Sequence, residues 1–378
     1  MQTRTERGSS DRCLDALMGL RFLAAMRVVP YHGLNATDMP WLLVPLVEHG
    51  PYAVALFFML SGFVLAYVYG STSFESWAAI RSFAVGRFAR VYPLYLAVQL
   101  LALPIFLVAF VFTTSPSNAA IGTLAVLSLI HAWSPRTAEI WNAPTWSLSA
   151  EVFFYCVFPF LMPLIRKRTI TLGILAVAGL SFIPIVAVTG PQLAPSIDAH
   201  DWSMILAYSP LLRLPEFLLG ACLGQFVVTG RLRPGSRVGD ALSAAGVAGF
   251  IGSAFLSAPS DRLVMIAGLA SLIVGLTGCG WVTRACAWRP LVFLGQTSYA
   301  LYLIHVPLIV YVGIVIERDA DIYLKPFNFV LCMALVVVLA ILAHLYIERP
   351  TRNAIRRRWG KQPVPRLEPA TMRNVSHL

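Results

Sequence analysis

The feature that most limits what this chain can become is a series of apolar runs, at 17–36, 51–69, 91–113, 117–133, 148–165, 170–189, 208–228, 240–257, 262–283, 291–316 and 326–347. A helix needs roughly 20 mostly apolar residues to cross the hydrocarbon core of a bilayer. In that solvent every backbone N–H and C=O must be satisfied inside the segment that carries it, so isolated apolar runs of this length can only be helices. Charged residues make up 12% of the chain, about half the share of a soluble domain. The deficit extends over most of the length and excludes a string of soluble domains. The expected fold is an all-α, polytopic membrane helix bundle.

Basic loops set the count of spans. Cytoplasmic loops are enriched in Lys and Arg. With the N-terminus inside, 37–50 is an outer loop holding Asp38 and Glu48, and 70–90 is an inner loop holding Arg81, Arg87 and Arg90. If 117–133 crossed fully, Arg166, Lys167 and Arg168 would fall outside. If it is re-entrant or interfacial, then 166–168, Arg231, Arg233, Arg237, Arg284, Arg289 and Arg356–Arg358 all fall inside. Pro116, Pro135 and Pro144 with two tryptophans suit an interfacial element at 114–147. This predicts about ten transmembrane helices in the plasma membrane, one non-spanning segment and both termini cytoplasmic. The expected division is a tail at 1–13, a membrane domain at 14–352 and a basic, disordered tail at 353–378, with no soluble catalytic domain following the membrane part. The net charge of +11 is accounted for by orientation, and nucleic-acid binding is not supported.

Six cysteines, Cys13, Cys156, Cys222, Cys279, Cys286 and Cys332, are scattered without a CxxC pair, so neither a disulfide framework nor a metal site is expected. The first apolar run contains Arg21, Arg27 and His32, which argues for a retained span and against a cleaved signal peptide.

Ionisable residues inside a span cost about 2.5–3.5 kcal/mol each on insertion scales and mark function. Arg21 and His32 are eleven residues apart, close to three whole turns, so they share a helix face about 16 Å apart along the axis. Arg21 is expected near the cytoplasmic mouth and His32 beyond the midplane; the bland alternative is a snorkelling arginine and a hydrogen-bonded histidine. Arg27 lies about 120° off that face and has no obvious partner. In FFMLSGF, Ser61 and Gly62 permit close helix approach. In RFARVYPLY, Arg87 and Arg90 are three apart, on one face at the cytoplasmic entrance, and suit a phosphate-bearing ligand or simple anchoring. In NAPTWSLSAE, Glu151 lies about one turn into a span, at a depth expected to match His32; it would orient the imidazole or pair with an arginine such as Arg27. Ser298, Tyr302 and His305 form a polar stripe on an apolar helix, with interhelical hydrogen bonding expected for Ser298. Glu348, Arg349 and Pro350 read as a helix stop.

In this order the blocks resemble the acyltransferase 3 family of membrane acyltransferases, from about residue 14 to 352. Arg21 and His32 match its basic residue and histidine separated by ten residues, FFMLSGF its second-span block, and Arg87 with Arg90 its paired arginines. WSLSAE, with Trp146, Ser147 and Glu151, matches its tryptophan-serine-glutamate block, and LGQTSYALYLIHVPL and IERP its closing blocks. Ala150 stands where a bulkier aliphatic residue is common, and the extracytoplasmic hydrolase-like domain of some relatives is missing.

The resemblance implies O-acylation of extracytoplasmic glycans, lipid-linked sugars or secreted metabolites such as macrolides. The donor is acyl-CoA, acetyl-CoA or another short acyl thioester, used as co-substrate with no bound cofactor and no metal. The expected roles are Arg21, Arg87 and Arg90 on the donor phosphates, His32 as base or transient acyl carrier, and Glu151 orienting His32. Ser61, Trp146, Ser147, Ser298, Tyr302 and His305 would line the pocket. A transporter or flippase would also carry buried Arg, His and Glu. Such proteins tend to show repeats and paired broken helices, and this sequence has no obvious repeat.

Overall fold

In the computed structural model, residues 4–258, 260–317 and 323–359 are described. Among them every regular element is helical. The principal helices are α1 (Arg4–Gly33), α2 (Ala53–Tyr69), α3 (Trp77–Leu101), α4 (Pro116–Leu127), α5 (Trp146–Leu193) and α6 (Ala199–Tyr208). They are followed by α7 (Pro210–Val228), α8 (Ser236–Ser253), α9 (Ser260–Gly275), α10 (Arg289–Val312), α11 (Pro326–Ala343) and α12 (Arg349–Trp359).

Among the described residues, six helices are long and apolar enough to cross a membrane, or seven if α3 and the helix after it, bent by 60°, form one span. The chain is a multi-pass membrane protein. Three features separate this count from the expected ten, the first being that α8, at the expected span 240–257, opens with Arg237 and Asp240 and is not among the six or seven. α5 runs for 48 residues, about 72 Å and more than twice a hydrocarbon core. Its helical dihedrals break at Arg168 (φ −136°, ψ 42°), inside the Arg166–Arg168 run, so it consists of two arms of membrane length. α1 extends well before the apolar run at 17–36 and carries charge along its length. The guanidinium of Arg166 donates to the Thr72 carbonyl at 2.9 Å, which fixes the α5 break on the face where α2 ends. α4 has 12 residues, about 18 Å, too short to cross. It ends at Leu127, and Leu129, with a φ of +56°, turns the chain just after it.

Three boundaries differ from the sequence reading. Ser76 caps α3 by accepting from Ala79 N (3.2 Å), and the helix starts at Trp77 although its apolar run starts at 91. Arg87 and Arg90 therefore lie inside the bundle, several turns past the helix start. Arg21 likewise lies several turns past the start of α1. Pro350 is not a stop: a π turn at His344–Glu348 leads straight into α12, where proline occupies the permissive first turn. Helix thus crosses the expected boundary at 352, and the remainder of the expected tail, 360–378, lies outside the described residues.

Glycines set the packing. A Cβ on Gly62 would stand 2.0 Å from the Phe217 carbonyl oxygen, and one on Gly220 2.0 Å from that of Met59. α2 and α7 run parallel with their backbones nearly touching, the approach that small residues permit in membranes. A Cβ on Gly295 would stand 2.0 Å from the Met18 carbonyl oxygen, and one on Gly33 3.1 Å from Ile309 Cδ1. So α1 and α10 are also parallel neighbours, with residue 18 level with 295 and residue 33 level with 309.

Gly220→Val should therefore overpack the α2–α7 seam at a cost of about 1–3 kcal/mol or more. Gly252→Ala, with nothing within 4 Å of the new Cβ, should be tolerated. Thermal unfolding of the purified proteins in detergent checks this, and equal midpoints for the two variants would contradict the seam.

Candidate functional site

α1, α2, α3, α5 and α10 supply a line of polar groups through the bundle. At the end nearer the start of α1, the Glu151 carboxylate accepts from Ser61 Oγ at 2.9 Å and from the Tyr155 hydroxyl. It lies within electrostatic reach of Arg21 and Arg90. The Arg87 guanidinium sits over the rings of Phe83 (5.7 Å), Tyr69 (5.8 Å) and Tyr155 (5.8 Å), and that of Arg21 over Phe57 (5.4 Å). Among the described residues none of these three arginines has a hydrogen-bond or ion-pair partner, and Nε of Arg21 and of Arg87 is fully enclosed. Arg21 and Arg90 are only partly buried and keep accessible surface that a ligand could reach. Glu348 also lies within electrostatic reach of Arg21 and Arg90 but is shared with His344 and Arg352, so the three cations around Glu151 leave a surplus of positive charge, which an anionic ligand would neutralise.

One turn along α5 from Glu151, the hydroxyls of Ser147 and Tyr302 pair at 2.9 Å, and both reach the Pro144 carbonyl (3.0 and 2.9 Å). Trp146 closes one side, its ring 4.7 Å from Tyr208 and 5.9 Å from Phe58. Pro307 lacks the N–H that would bond the Leu303 carbonyl four residues earlier. Asn142 Nδ2 fills that position at 2.9 Å. The irregular segment after α4 thereby pins α10 where its helix ladder is interrupted.

At the far end of α1, His32 packs against Tyr31 (5.0 Å, edge-on) and His305 (5.2 Å, tilted). His305 is 0% exposed, and neither of its ring nitrogens makes a hydrogen bond of good geometry among the described residues. Pro30 and Pro307 each lie two residues from one of these histidines.

The structure thus brings Arg21, Arg87, Arg90, Ser61 and Glu151 together at one end, Trp146, Ser147 and Tyr302 in the middle, and His32 with His305 at the other. It corrects two expectations. Glu151 does not reach His32: it lies one turn deeper than Ser147, and its hydrogen bonds go to Ser61 and Tyr155. Ser298 donates to the Gly295 carbonyl in its own helix (2.8 Å) and makes no interhelical bond. Arg27, which had no assigned partner, sits over the Phe250 ring at 6.0 Å.

Other polar groups escaped the sequence reading. Tyr155 lies four residues after Glu151, a spacing that places both on one face. Buried Glu216 holds Arg213 (3.0 Å) and Arg262 (2.9 Å), beside a Tyr52–Asp261 bond (2.5 Å). The RLPE spacing gave a signal for Arg213, and nothing local pointed to Arg262. Buried His131 bonds Thr145 at 3.3 Å. Glu348 holds His344 (2.8 Å) and Arg352 (3.5 Å). A groove of about 510 Å³ between α5 and α7, lined by residues such as Ile174, Val177, Leu219 and Phe226, offers no polar group for chemistry.

A family profile described as an acyltransferase domain matches residues 14–345. Acyltransferase MdmB of Streptomyces mycarofaciens is 28% identical, over 95% of this chain and 96% of its own length. Exopolysaccharide production protein ExoZ of Rhizobium meliloti is 30% identical, over 60% of this chain and 68% of its own. O-acetyltransferase OatA of Staphylococcus aureus is 23% identical over 93% of this chain, which spans 59% of OatA. No solved structure matches.

Asn142→Leu should cost about 1–3 kcal/mol by leaving the Leu303 carbonyl unsatisfied in a buried place. Pro307→Ala restores an N–H at the correct offset, so the double variant should recover part of the loss. Thermal midpoints of the two single variants and the pair measure the coupling; additive losses would show that Asn142 does not complete the α10 ladder.

Proposed function

Since the chain belongs to the acyltransferase 3 family and is an acyltransferase, we propose that it moves a short acyl group from acyl-CoA on the cytoplasmic side to a hydroxyl presented on the outer side. The acceptor is a carbohydrate-containing molecule: a glycan, a lipid-linked sugar or a glycosylated metabolite. In this reading the chain makes ten crossings of the plasma membrane, with both ends cytoplasmic. The Arg166–Thr72 contact and the short α4 support that path.

The observation that carries the proposal is the polar line itself. Three unpaired guanidiniums stand level with the middle of α1 and an imidazole pair stands at its far end. Arg21 and His32 are about 16 Å apart along the axis, the order of length of a pantetheine arm. Phosphates of the donor would neutralise the surplus charge at Arg21, Arg87 and Arg90. Glu151 would hold two of those arginines apart and in place, which replaces its expected role at His32. An acyl thioester is already activated, so the acceptor hydroxyl needs a base, and imidazole serves near neutral pH. The tyrosine and serine hydroxyls between the two ends would line the path of the arm. The name of ExoZ, tied to exopolysaccharide production, supports the acceptor class, and that of OatA, an O-acetyltransferase, supports transfer to a hydroxyl.

Mass spectrometry of surface glycans and secreted metabolites from cells with and without the chain should reveal one acyl mass increment that depends on it. His32→Ala should abolish the increment, with kcat reduced about 10²–10⁴-fold, while the protein still inserts. Identical spectra with and without the chain would contradict the proposal.

Arg87→Ala and Arg90→Ala should each raise the KM for acetyl-CoA about 10- to 100-fold, the loss of one charge-assisted hydrogen bond of about 1.5–3 kcal/mol. An unchanged KM in membrane vesicles would reduce both residues to structural cations.

A further inference from the structure

His305 is the group that the proposed mechanism leaves unused. It is fully enclosed, and neither ring nitrogen makes a hydrogen bond of good geometry among the described residues, the nearest acceptors being the Leu301 and Tyr302 carbonyls of its own helix. A buried donor or acceptor left unmade costs about 1–3 kcal/mol, and such groups in native proteins call for an explanation. The neighbouring hydroxyl does not provide one, because Tyr302 is already committed to Ser147 and Pro144. The other near polar ring is His32, 5.2 Å away between centroids and not hydrogen-bonded to it. The two rings are in contact but unbonded, so a carbonyl oxygen brought to the shared edge of the pair, once a bound arm parts the packing there, would meet both.

The order of groups along the bundle matters here. α1 and α10 run parallel, with residue 33 level with 309 and 18 level with 295. His305 is therefore level with about residue 29 of α1, roughly one turn nearer the arginines than His32. A thioester extending from the arginine end passes the level of His305 before that of His32. A hydroxyl arriving from the opposite end meets His32, which keeps accessible surface whereas His305 has none.

Resting on the acyl-transfer reading above, we propose that His305 is a second catalytic residue, one that donates a hydrogen bond to the thioester carbonyl oxygen while His32 takes the acceptor's proton. The acceptor oxygen forms a bond to the carbonyl carbon, and its proton moves to His32. The carbonyl electron pair shifts onto oxygen, where the His305 N–H receives it. On collapse the C–S bond breaks and the thiolate recovers the proton from His32, leaving the ester and free CoA. Removing one donor of this kind from an acyl-transfer site typically lowers kcat about 10²–10³-fold. Asn142 places the group: its bond to the Leu303 carbonyl fixes the turn of α10 that carries His305.

The role separates from a structural one by the sign of the stability change. Replacing an unsatisfied buried polar ring by an apolar side chain of similar size is neutral or stabilising. His305→Leu should therefore keep or raise the thermal midpoint while acyl transfer falls about 10²-fold or more. His305→Asn, which keeps an N–H donor, should retain more transfer than His305→Leu at equal KM for acetyl-CoA. The test uses membranes from cells lacking the chain, complemented with wild type or either variant and given [¹⁴C]acetyl-CoA. Label entering the membranes' own glycans and extracted metabolites is counted per folded protein, with folding read by size exclusion in detergent. No chain-dependent label with wild type would sink the acyl-transfer reading and this inference with it. Label with wild type and equal label per folded His305→Leu protein would overturn this inference alone. A midpoint and a transfer rate that fall in parallel, with no advantage for His305→Asn, would make His305 structural.

Discussion

Three guanidiniums gathered around Glu151 inside a membrane bundle are the constraint to which the rest of this structure answers. A bare charge at such a depth is expensive, and here the cations outnumber the anion. The protein meets that cost partly with rings: Tyr69, Phe83 and Tyr155 surround Arg87, and Phe57 lies under Arg21. Ser61 and Tyr155 both donate to Glu151, keeping its charge placed between arginines. The close glycine seams follow from the same demand. α2 must carry Ser61 against α5 while packing on α7, and only the absence of side chains at Gly62 and Gly220 lets the backbones approach that far.

Helix-interior prolines act on the other half of the line. Pro307 opens the α10 ladder beside His305, and Pro30 lies next to His32 in α1. The carbonyl that Pro307 frees is satisfied by Asn142, from a segment that cannot itself cross the bilayer. Non-helical backbone at membrane depth is tolerated where it is buried in protein, and this segment earns its position by completing α10. The polar line therefore depends on elements distant in sequence: the start of the chain, the stretch around 142–155 and the tenth helix.

Much of this was legible from residues alone. The all-helical membrane class follows from the apolar runs, and the motif blocks name the family in which the chain belongs. The shared face of Arg21 and His32 follows from helical spacing, and both do end on the same line. Depth was less legible. Arg87 and Arg90 precede an apolar run and so read as a loop, whereas a serine cap at Ser76 starts their helix earlier. Glu151 was matched to His32 by counting turns from a helix start, but its partners come from α2 and from its own next turn. Which helices pack as neighbours is a tertiary fact, and neither periodicity nor charge bias carries it. The same gap hid Arg262, 46 residues from the Glu216 that it binds, and left the unpaired state of His305 unseen.

The central claim is that one continuous polar path joins the arginine cluster to the histidine pair across the membrane. Sidedness of transfer in sealed vesicles tests it most directly. Purified protein is reconstituted in one orientation, with acetyl-CoA confined to the face bearing the Arg166–Arg168 loop and a glycan acceptor extract confined to the other. The account predicts acylated acceptor and free CoA in separate compartments, at a rate that vanishes when the donor is moved to the opposite face. Product formed only when donor and acceptor share one compartment would contradict it.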